Sequence, residues 1–138
     1  MDPGKTVIKG DQIMAEEIKC SCGSANVAIF PCSGASNVGQ LSNHIAVELT
    51  EKGTGKMMCT AGVGGLVSGL VKSAEGSDRV IAIDGCPLNC AKKCLENAGV
   101  QIDKHILLTK DLDIKKNKDL KIEDDLLNET MEKIAKIL

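Results

Sequence analysis

The sequence predicts an α/β protein with three layers, in which helices cover both faces of a mainly parallel four-stranded sheet. Two observations support this fold class. Short runs of consecutive apolar residues, typical of strands buried on both faces, recur along the chain. Each run is followed by a segment with helical periodicity, and right-handed crossovers then place helices on both sides of the sheet.

The predicted strands are short. The first is an apolar run ended by Pro31, the second is rich in methionine, and the third is the clearest because Val80-Ile81-Ala82-Ile83 is uninterrupted. We expect strands at 27–30, 56–59, 79–83 and 105–108. Their expected order in the sheet is 2-1-3-4, as in Rossmann-like or flavodoxin-like folds.

Helical signals follow each strand. Turn and cap residues at 33–37 precede apolar positions at helical spacing, and Gly53 is a natural stop. The glycine-rich stretch 61–65 is predicted to be a turn. Pro87 stands at the first position of the third helix, and Gly99 lies just past its end. We therefore expect helices between 38 and 53 and at 66–74, 87–97 and 122–138, the last of them amphipathic.

The predicted domain organisation is simple. A length of 138 residues is typical of one domain. Residues 1–19 are predicted to be a polar, weakly structured leader, within which 6–8 are a candidate edge strand. Residues 20–138 are expected to fold as a single cysteine-rich α/β domain.

Composition narrows the function classes. The chain has no Trp, no Tyr and one Phe, so it lacks the aromatic platforms on which single-stranded nucleic acids stack. The net charge is -2 and no basic stripe is present, which argues against a nucleic-acid partner. No apolar run reaches the roughly 18 residues of a membrane span, and the polar start shows no signal peptide. We expect a cytoplasmic protein without a membrane partner, and a protein partner is left open.

Cysteine is the unusual residue of this chain. There are seven, an odd number, and a cytoplasmic location disfavours structural disulfides. Cys32, Cys59 and Cys86 each follow a predicted strand, and the carboxyl ends of parallel strands meet at one edge of a sheet. The expected order places Cys32 centrally, with the strands that carry the other two about 4.8 Å away on either side. We expect these thiols to gather at one site.

The gathered thiols suit zinc. Zinc binds thiolates at about 2.3 Å in a tetrahedron, which sets the sulfurs roughly 3.8 Å apart. Cys86 is expected near the amino end of the third helix and Cys90 one turn later, where partial positive charge and free N–H groups favour thiolates. We predict four metal ligands: Cys32, Cys59, Cys86 and Cys90. The competing interpretation is that buried cysteines are small apolar residues.

The other three cysteines have open roles. Cys94 lies four residues beyond Cys90, on the same face of the predicted helix. It is expected either to add a fifth sulfur near the site or to be a buried side chain that only fills space in the core. Cys20 and Cys22 precede the first strand and are expected near the opposite edge of the sheet. Loop thiols are favoured there over a second metal site, which would be short of ligands.

No other group forms a convincing site. Asp84 is predicted to cap the third helix. Two alternatives are that its carboxylate accepts a hydrogen bond from a group next to the metal ligands, or that it acts as a base. His44 is expected to face solvent on the first helix, about two turns from Cys32, and His105 to start the fourth strand, away from the carboxyl edge, so neither is well placed as a ligand. Residues 62–67 lack the third glycine of a dinucleotide-binding loop, and no hydrolase triad is apparent. We therefore assign no catalytic residue and no organic cofactor.

Several motifs together carry a family resemblance. They are PCSG at 31–34, NVGQ at 37–40, CTAGVGG at 59–65, DGCPLNC at 84–90 and CL at 94–95. The sequence resembles the DGC-domain family, small cysteine-rich microbial proteins described as zinc-binding. The resemblance covers most of the chain, from the first predicted strand to about residue 109. It implies that Cys32, Cys59, Cys86 and Cys90 chelate zinc, and it brings no established reaction.

Three functions are consistent with these observations. The first is a zinc-binding protein with a structural or metal-handling role. The alternative is a thiol-redox or sulfur-transfer enzyme, whose cysteines would cycle between dithiol and disulfide or carry a persulfide. The third is an iron–sulfur protein, because cysteines also ligate clusters. The sequence leaves open whether the protein is an enzyme.

Overall fold

The computed structural model describes residues 25–138. The predicted leader, the candidate strand at 6–8, and Cys20 and Cys22 lie outside the described residues. The strands are β1 (Val27–Pro31), β2 (Lys56–Met57), β3 (Arg79–Asp84) and β4 (Lys104–Leu107). The helices are α1 (Asn37–Glu51), α2 (Thr60–Gly64), α3 (Ser68–Glu75), α4 (Cys90–Asn97), α5 (Leu108–Asp111) and α6 (Asp124–Ala135). Within the described range, no helix combines the length and the apolar character needed to cross a membrane.

The four strands form one parallel sheet in the order β2-β1-β3-β4. On β1, Ile29 pairs with Met57 of β2 on one side and with Ile81 of β3 on the other. On the far side of β3, Ile83 pairs with Ile106 of β4. The observed order is the predicted one, and it confirms the three-layer α/β class. The carboxyl ends of the strands therefore lie at one edge of the sheet.

Side chains of the central strands alternate between two cores. Ile29 and Ile81 pack in the layer of α1, α5 and α6. Phe30 and Ala82 pack in the opposite layer, with α2, α3 and α4. Phe30, the single aromatic residue of the chain, is fully buried there. Because both faces are covered, the strands are marked by apolar runs and not by alternation.

The crossover from β2 to β3 differs from the prediction. The second strand was expected to reach Cys59, but β2 ends at Met57 and Cys59 is the N-cap of α2. The glycine-rich stretch predicted as a turn forms the short helix α2. Leu66, with φ 60, separates α2 from α3, so the predicted helix at 66–74 begins only at Ser68.

The start of α4 also differs. The predicted helix began at Pro87, whereas α4 begins at Cys90. Asn89 precedes α4 with φ 55, in the left-handed region, so 85–89 is a turn and not a first helical turn. The predicted stop at Gly99 is confirmed by its φ of 76, which suits a residue that follows a helix end.

Candidate functional site

Five cysteines lie at the carboxyl edge of the sheet. Cys32 directly follows β1, Cys59 lies two residues past β2, and Cys86 lies two residues past β3. Cys90 is the first residue of α4, and Cys94 lies one turn further along the same helix. All five are free thiols. We call this set the cysteine edge.

Two adjoining cavities open at the cysteine edge. The first, of about 300 Å³, is bordered by Cys32, Cys86 and Cys90, and we call it the turn cavity. The second, of about 340 Å³, is bordered by Cys32, Cys59, Cys90 and Cys94, and we call it the sulfur cavity. Cys32 and Cys90 thus border both, and each of the four predicted ligands borders at least one. A larger cavity, of about 710 Å³ between α1 and α6, contains no cysteine.

Cys32 is held between two strand ends. Its N–H donates to the Ile83 carbonyl at 2.8 Å, and its sulfur accepts the Gly85 N–H at 3.2 Å. Burial raises the pKa of the Cys32 thiol, and the nearby charges of Asp84 and Cys90 add to the increase, while the Gly85 hydrogen bond opposes it. Cys32 is therefore a protonated thiol at neutral pH in the metal-free protein.

Cys59 is oriented by the start of α2. Its sulfur accepts the Gly62 N–H at 3.3 Å, in the manner of an N-cap side chain. The hydroxyl of Thr60 donates to the Pro31 carbonyl at 2.7 Å, which ties the start of α2 to the end of β1. These contacts keep Cys59 on the same edge as Cys32.

The turn that carries Cys86 packs directly on the start of α1. A Cβ added to Gly85 would lie 2.6 Å from the backbone of Val38, so only glycine permits this approach. The Cys86 carbonyl accepts the Asn89 N–H at 3.1 Å and closes the turn. Gly85 thus sets where Cys86 meets the turn cavity.

Asp84 holds the start of α4 in place. Its carboxylate accepts the N–H of Ala91 at 2.7 Å and that of Lys92 at 3.0 Å, which confirms the predicted role as a helix cap. The side chain is buried, with 1% of its surface exposed, and also lies 2.9 Å from Nε2 of His105. Asp84 therefore fixes the position of Cys90 from beneath the turn.

The two histidines border neither cavity. The ring of His105 nevertheless reaches Asp84, because the register of β3 and β4 places His105 opposite Ala82, two residues before Asp84. The sequence carried no signal for this contact. His44 lies on α1, where its Nδ1 is 2.8 Å from the carbonyl of Gln40.

Lys116 is the residue of the site that the sequence did not indicate. Its Nζ lies 3.5 Å from the Cys86 sulfur, at the turn cavity. Lys116 belongs to the coil 112–123, which Asn37 holds against α1: Nδ2 of Asn37 donates to the Lys115 carbonyl at 2.8 Å, and Oδ1 accepts the Asn117 N–H at 2.6 Å. This coil is a charged segment without periodicity, so nothing in the sequence placed it over the cysteines.

The donor types at the cysteine edge suit zinc, but their positions do not form a ready-made site. Within residues 25–138, no group of three or more His, Cys, Asp or Glu side chains is spaced to hold a metal ion. The four predicted ligands are instead divided between the turn cavity and the sulfur cavity. Thiolates are donors that zinc prefers, so the residue types fit, and a closed site would require the sulfurs to converge.

The fold and this edge define a class of protein: a three-layer α/β domain with thiols collected at the carboxyl edge of a parallel sheet. The chain belongs to the DGC domain family, whose sequence model matches residues 28–134. It is similar to the anaerobic and virulence modulator AnvM of Pseudomonas aeruginosa, with 43% identity over 81 residues. That match covers 59% of this chain and 62% of the relative, less than two thirds of its length. No solved structure matches the chain.

Proposed function

We propose that the cysteine edge binds zinc through Cys32, Cys59, Cys86 and Cys90, in a structural or metal-handling role. The observation that supports this is that all four thiols line two adjoining cavities at one edge of the sheet, and that Cys32 and Cys90 line both. Membership of the DGC domain family supports it as well, because the resemblance that implied these chelators rests on that family.

Metal binding at this edge requires movement and deprotonation. Cys86 lies on the turn 85–89 and Cys59 on a helix cap, so side-chain rotation and a small shift of the turn are the available movements. Each ligand must also lose its proton, and burial that raises the pKa of Cys32 opposes this loss. Zinc affinity is therefore expected to rise with pH.

Elemental analysis tests the proposal on protein purified anaerobically without chelator. The expected result is about one zinc per chain, with zinc lost in both Cys59→Ser and Cys86→Ser. Cys94→Ser is the matched control, because Cys94 belongs to the same edge but not to the four ligands, and it should retain zinc. Unchanged zinc content in Cys59→Ser and Cys86→Ser contradicts the proposal. Iron with sulfide in place of zinc indicates an iron–sulfur protein.

A thiol-redox or sulfur-transfer enzyme is the second candidate. The observation that favours it is the position of Cys90 near two other thiols. Cys32, Cys90 and Cys94 line the same cavity. Burial raises the pKa of Cys32 and of Cys94, which works against the thiolate form that this chemistry needs. Neighbouring thiols can form a disulfide or pass on a persulfide sulfur. Mild oxidation of metal-free protein should then give a reversible disulfide at Cys90, detected by mass spectrometry, and its absence argues against this function.

The proposed compartment is the cytoplasm, and the proposed partner is the metal ion. Free thiols persist in the reducing interior of a cell, which agrees with the five free cysteines of the edge. No nucleic acid, membrane or particular protein is part of this proposal.

A further inference from the structure

The sulfur cavity holds more sulfur than the proposed zinc site uses. Six of its twelve lining residues contain sulfur: Cys32, Met57, Met58, Cys59, Cys90 and Cys94. Of the described residues, no Asp, Glu or His lines it. Thioether sulfur is a soft donor, and a lining of thiols and thioethers without carboxylate or imidazole suits Cu(I).

The two methionines are not equivalent. Met58 packs against the core cluster that contains Leu95 of α4, whereas Met57 packs against the cluster on the opposite face of the sheet. This follows from the alternation of side chains along an extended segment. Of the two thioethers, that of Met58 therefore belongs to the layer that carries Cys90 and Cys94.

Cys90 and Cys94 form a pair of thiols on one face of α4. Residues four apart on a helix have Cβ atoms roughly 5–6 Å apart. The sulfur of Cys94 lies against α2, because a Cβ added to Gly64 would be 2.6 Å from it. Cys90 and Cys94 both line the sulfur cavity.

A pair of thiols is enough for some metals and too few for others. Within the described residues, no group of three or more His, Cys, Asp or Glu side chains is spaced for an ion, so the zinc site proposed above requires the sulfurs to converge. Cu(I) differs, because two thiolates, alone or with one thioether, complete its coordination. Two thiols and one thioether therefore suit Cu(I) without the convergence of four sulfurs that the zinc site requires.

The geometry points to a soft-metal site in the sulfur cavity, in which Cys90 and Cys94 are thiolate ligands and Met58 is a thioether ligand of Cu(I). This inference rests on the proposed function, because it uses the same cysteine edge, and it assigns a second class of metal to that edge. The two sites share Cys90, whereas Cys86 belongs to the zinc site alone. Binding is coordination without electron transfer: the copper stays in the Cu(I) state, and the two thiols release their protons to solvent.

The test is an anaerobic titration of the reduced, metal-free full-length chain with Cu(I), in competition with a bicinchoninate chelator. About one Cu(I) per chain should bind. Cys94→Ser should weaken binding by at least the roughly 10–100-fold that changes around metal ligands cost. Met58→Leu, which keeps the volume but removes the sulfur, should weaken it by roughly tenfold. Met57→Leu is the matched control and should not change it.

X-ray absorption provides an independent readout. The expected copper environment has three sulfur neighbours in the original protein and one fewer in Met58→Leu. Unchanged Cu(I) affinity in Cys94→Ser overturns the site, as does equal weakening in Met57→Leu and Met58→Leu. Thermal unfolding verifies that each variant folds, and Cys94→Ala replaces Cys94→Ser should the latter fail to fold.

Cys86→Ser separates this site from the proposed zinc site. The variant should lose zinc and keep Cu(I) affinity. Equal loss of Cu(I) in Cys86→Ser and Cys94→Ser overturns the soft-metal site in favour of one shared site. If the original protein binds no zinc but shows the expected Cu(I) pattern, the zinc proposal fails and the soft-metal site stands.

Discussion

The backbone N–H of Gly85 donates to the Cys32 sulfur at 3.2 Å, across 53 positions of sequence. This hydrogen bond joins the turn after β3 to the residue that follows β1, and so brings Cys86 near Cys32. Gly85 also packs on the backbone of Val38 at the start of α1. Gly85, the middle residue of the Asp84-Gly85-Cys86 motif, therefore has two roles. Its N–H donates to a thiol, and its lack of a side chain allows the turn to pack on α1.

Gly85→Ala is expected to destabilise the protein. The new Cβ would lie 2.6 Å from backbone atoms of Val38. A flexible side chain could rotate away from such a contact, but here the backbone at the start of α1 would have to move. Overpacking of this kind costs about 1–3 kcal/mol, measurable by urea unfolding of the metal-free protein. Gly34→Ala is the control, because a Cβ there meets nothing within 4 Å. Equal losses in the two variants would contradict the packing argument.

The stability of the metal-free protein should depend on pH through Cys32. Burial raises its folded-state pKa above the ordinary value of 9.0, which applies to the unfolded chain. The buried thiol thus contributes stability that is complete below pH 9.0 and is lost as the pH rises through the folded-state pKa. Urea unfolding of reduced protein should show this fall, and Cys32→Ala should diminish it. Replacing the exposed Cys59 by Ala is the control and should leave the fall in place.

The sheet could be predicted from the sequence because each strand carries its own signal, a run of consecutive apolar residues. Strands such as β3 are apolar at consecutive positions and are buried on both faces, so the runs themselves marked the elements and their layers. The placement of Cys32, Cys59 and Cys86 along one edge of the sheet followed from the strand order alone. No long-range contact had to be known for that step.

The details of the site depend on contacts that no local pattern encodes. The left-handed Asn89 delays α4 beyond Pro87, so Cys90, and not a residue one turn earlier, begins the helix. Lys116 reaches Cys86 from an aperiodic coil 30 positions away. His105 reaches Asp84 only through the register of β3 and β4.

Asp84→Ala should destabilise the start of α4. The substitution removes the acceptor for the N–H groups of Ala91 and Lys92 and leaves His105 without its buried partner. Loss of an acceptor for buried donors costs about 1–3 kcal/mol, measurable by urea unfolding. Amide hydrogen exchange at Ala91 and Lys92 should accelerate at the same time.

Asp84→Asn is the matched variant for that experiment. Its amide keeps one acceptor oxygen, so its loss of stability should be smaller than that of Asp84→Ala. If the two variants unfold at the same urea concentration as the original protein, the carboxylate does not support α4.

Asn37→Ala should loosen the coil 112–123 and expose Cys86. Asn37 is buried, with 6% of its surface exposed, and its side chain makes two hydrogen bonds to this coil, to the Lys115 carbonyl and the Asn117 N–H. Without them, Lys116 should spend less time beside the Cys86 sulfur, so that alkylation of Cys86 by iodoacetamide, followed by mass spectrometry, should be faster. Unfolding should also become easier by about 1–3 kcal/mol, because two hydrogen bonds worth about 0.5–1.5 kcal/mol each are lost.

Two controls make this last experiment specific. Asn128→Ala changes an exposed asparagine of α6 that lines the distant cavity between α1 and α6, and it should alter neither quantity. Lys116→Met removes the ammonium while the Asn37 contacts to the backbone remain, and so separates the charge from the position of the coil. If Asn37→Ala leaves the alkylation rate of Cys86 unchanged, the coil does not restrict access to the turn cavity.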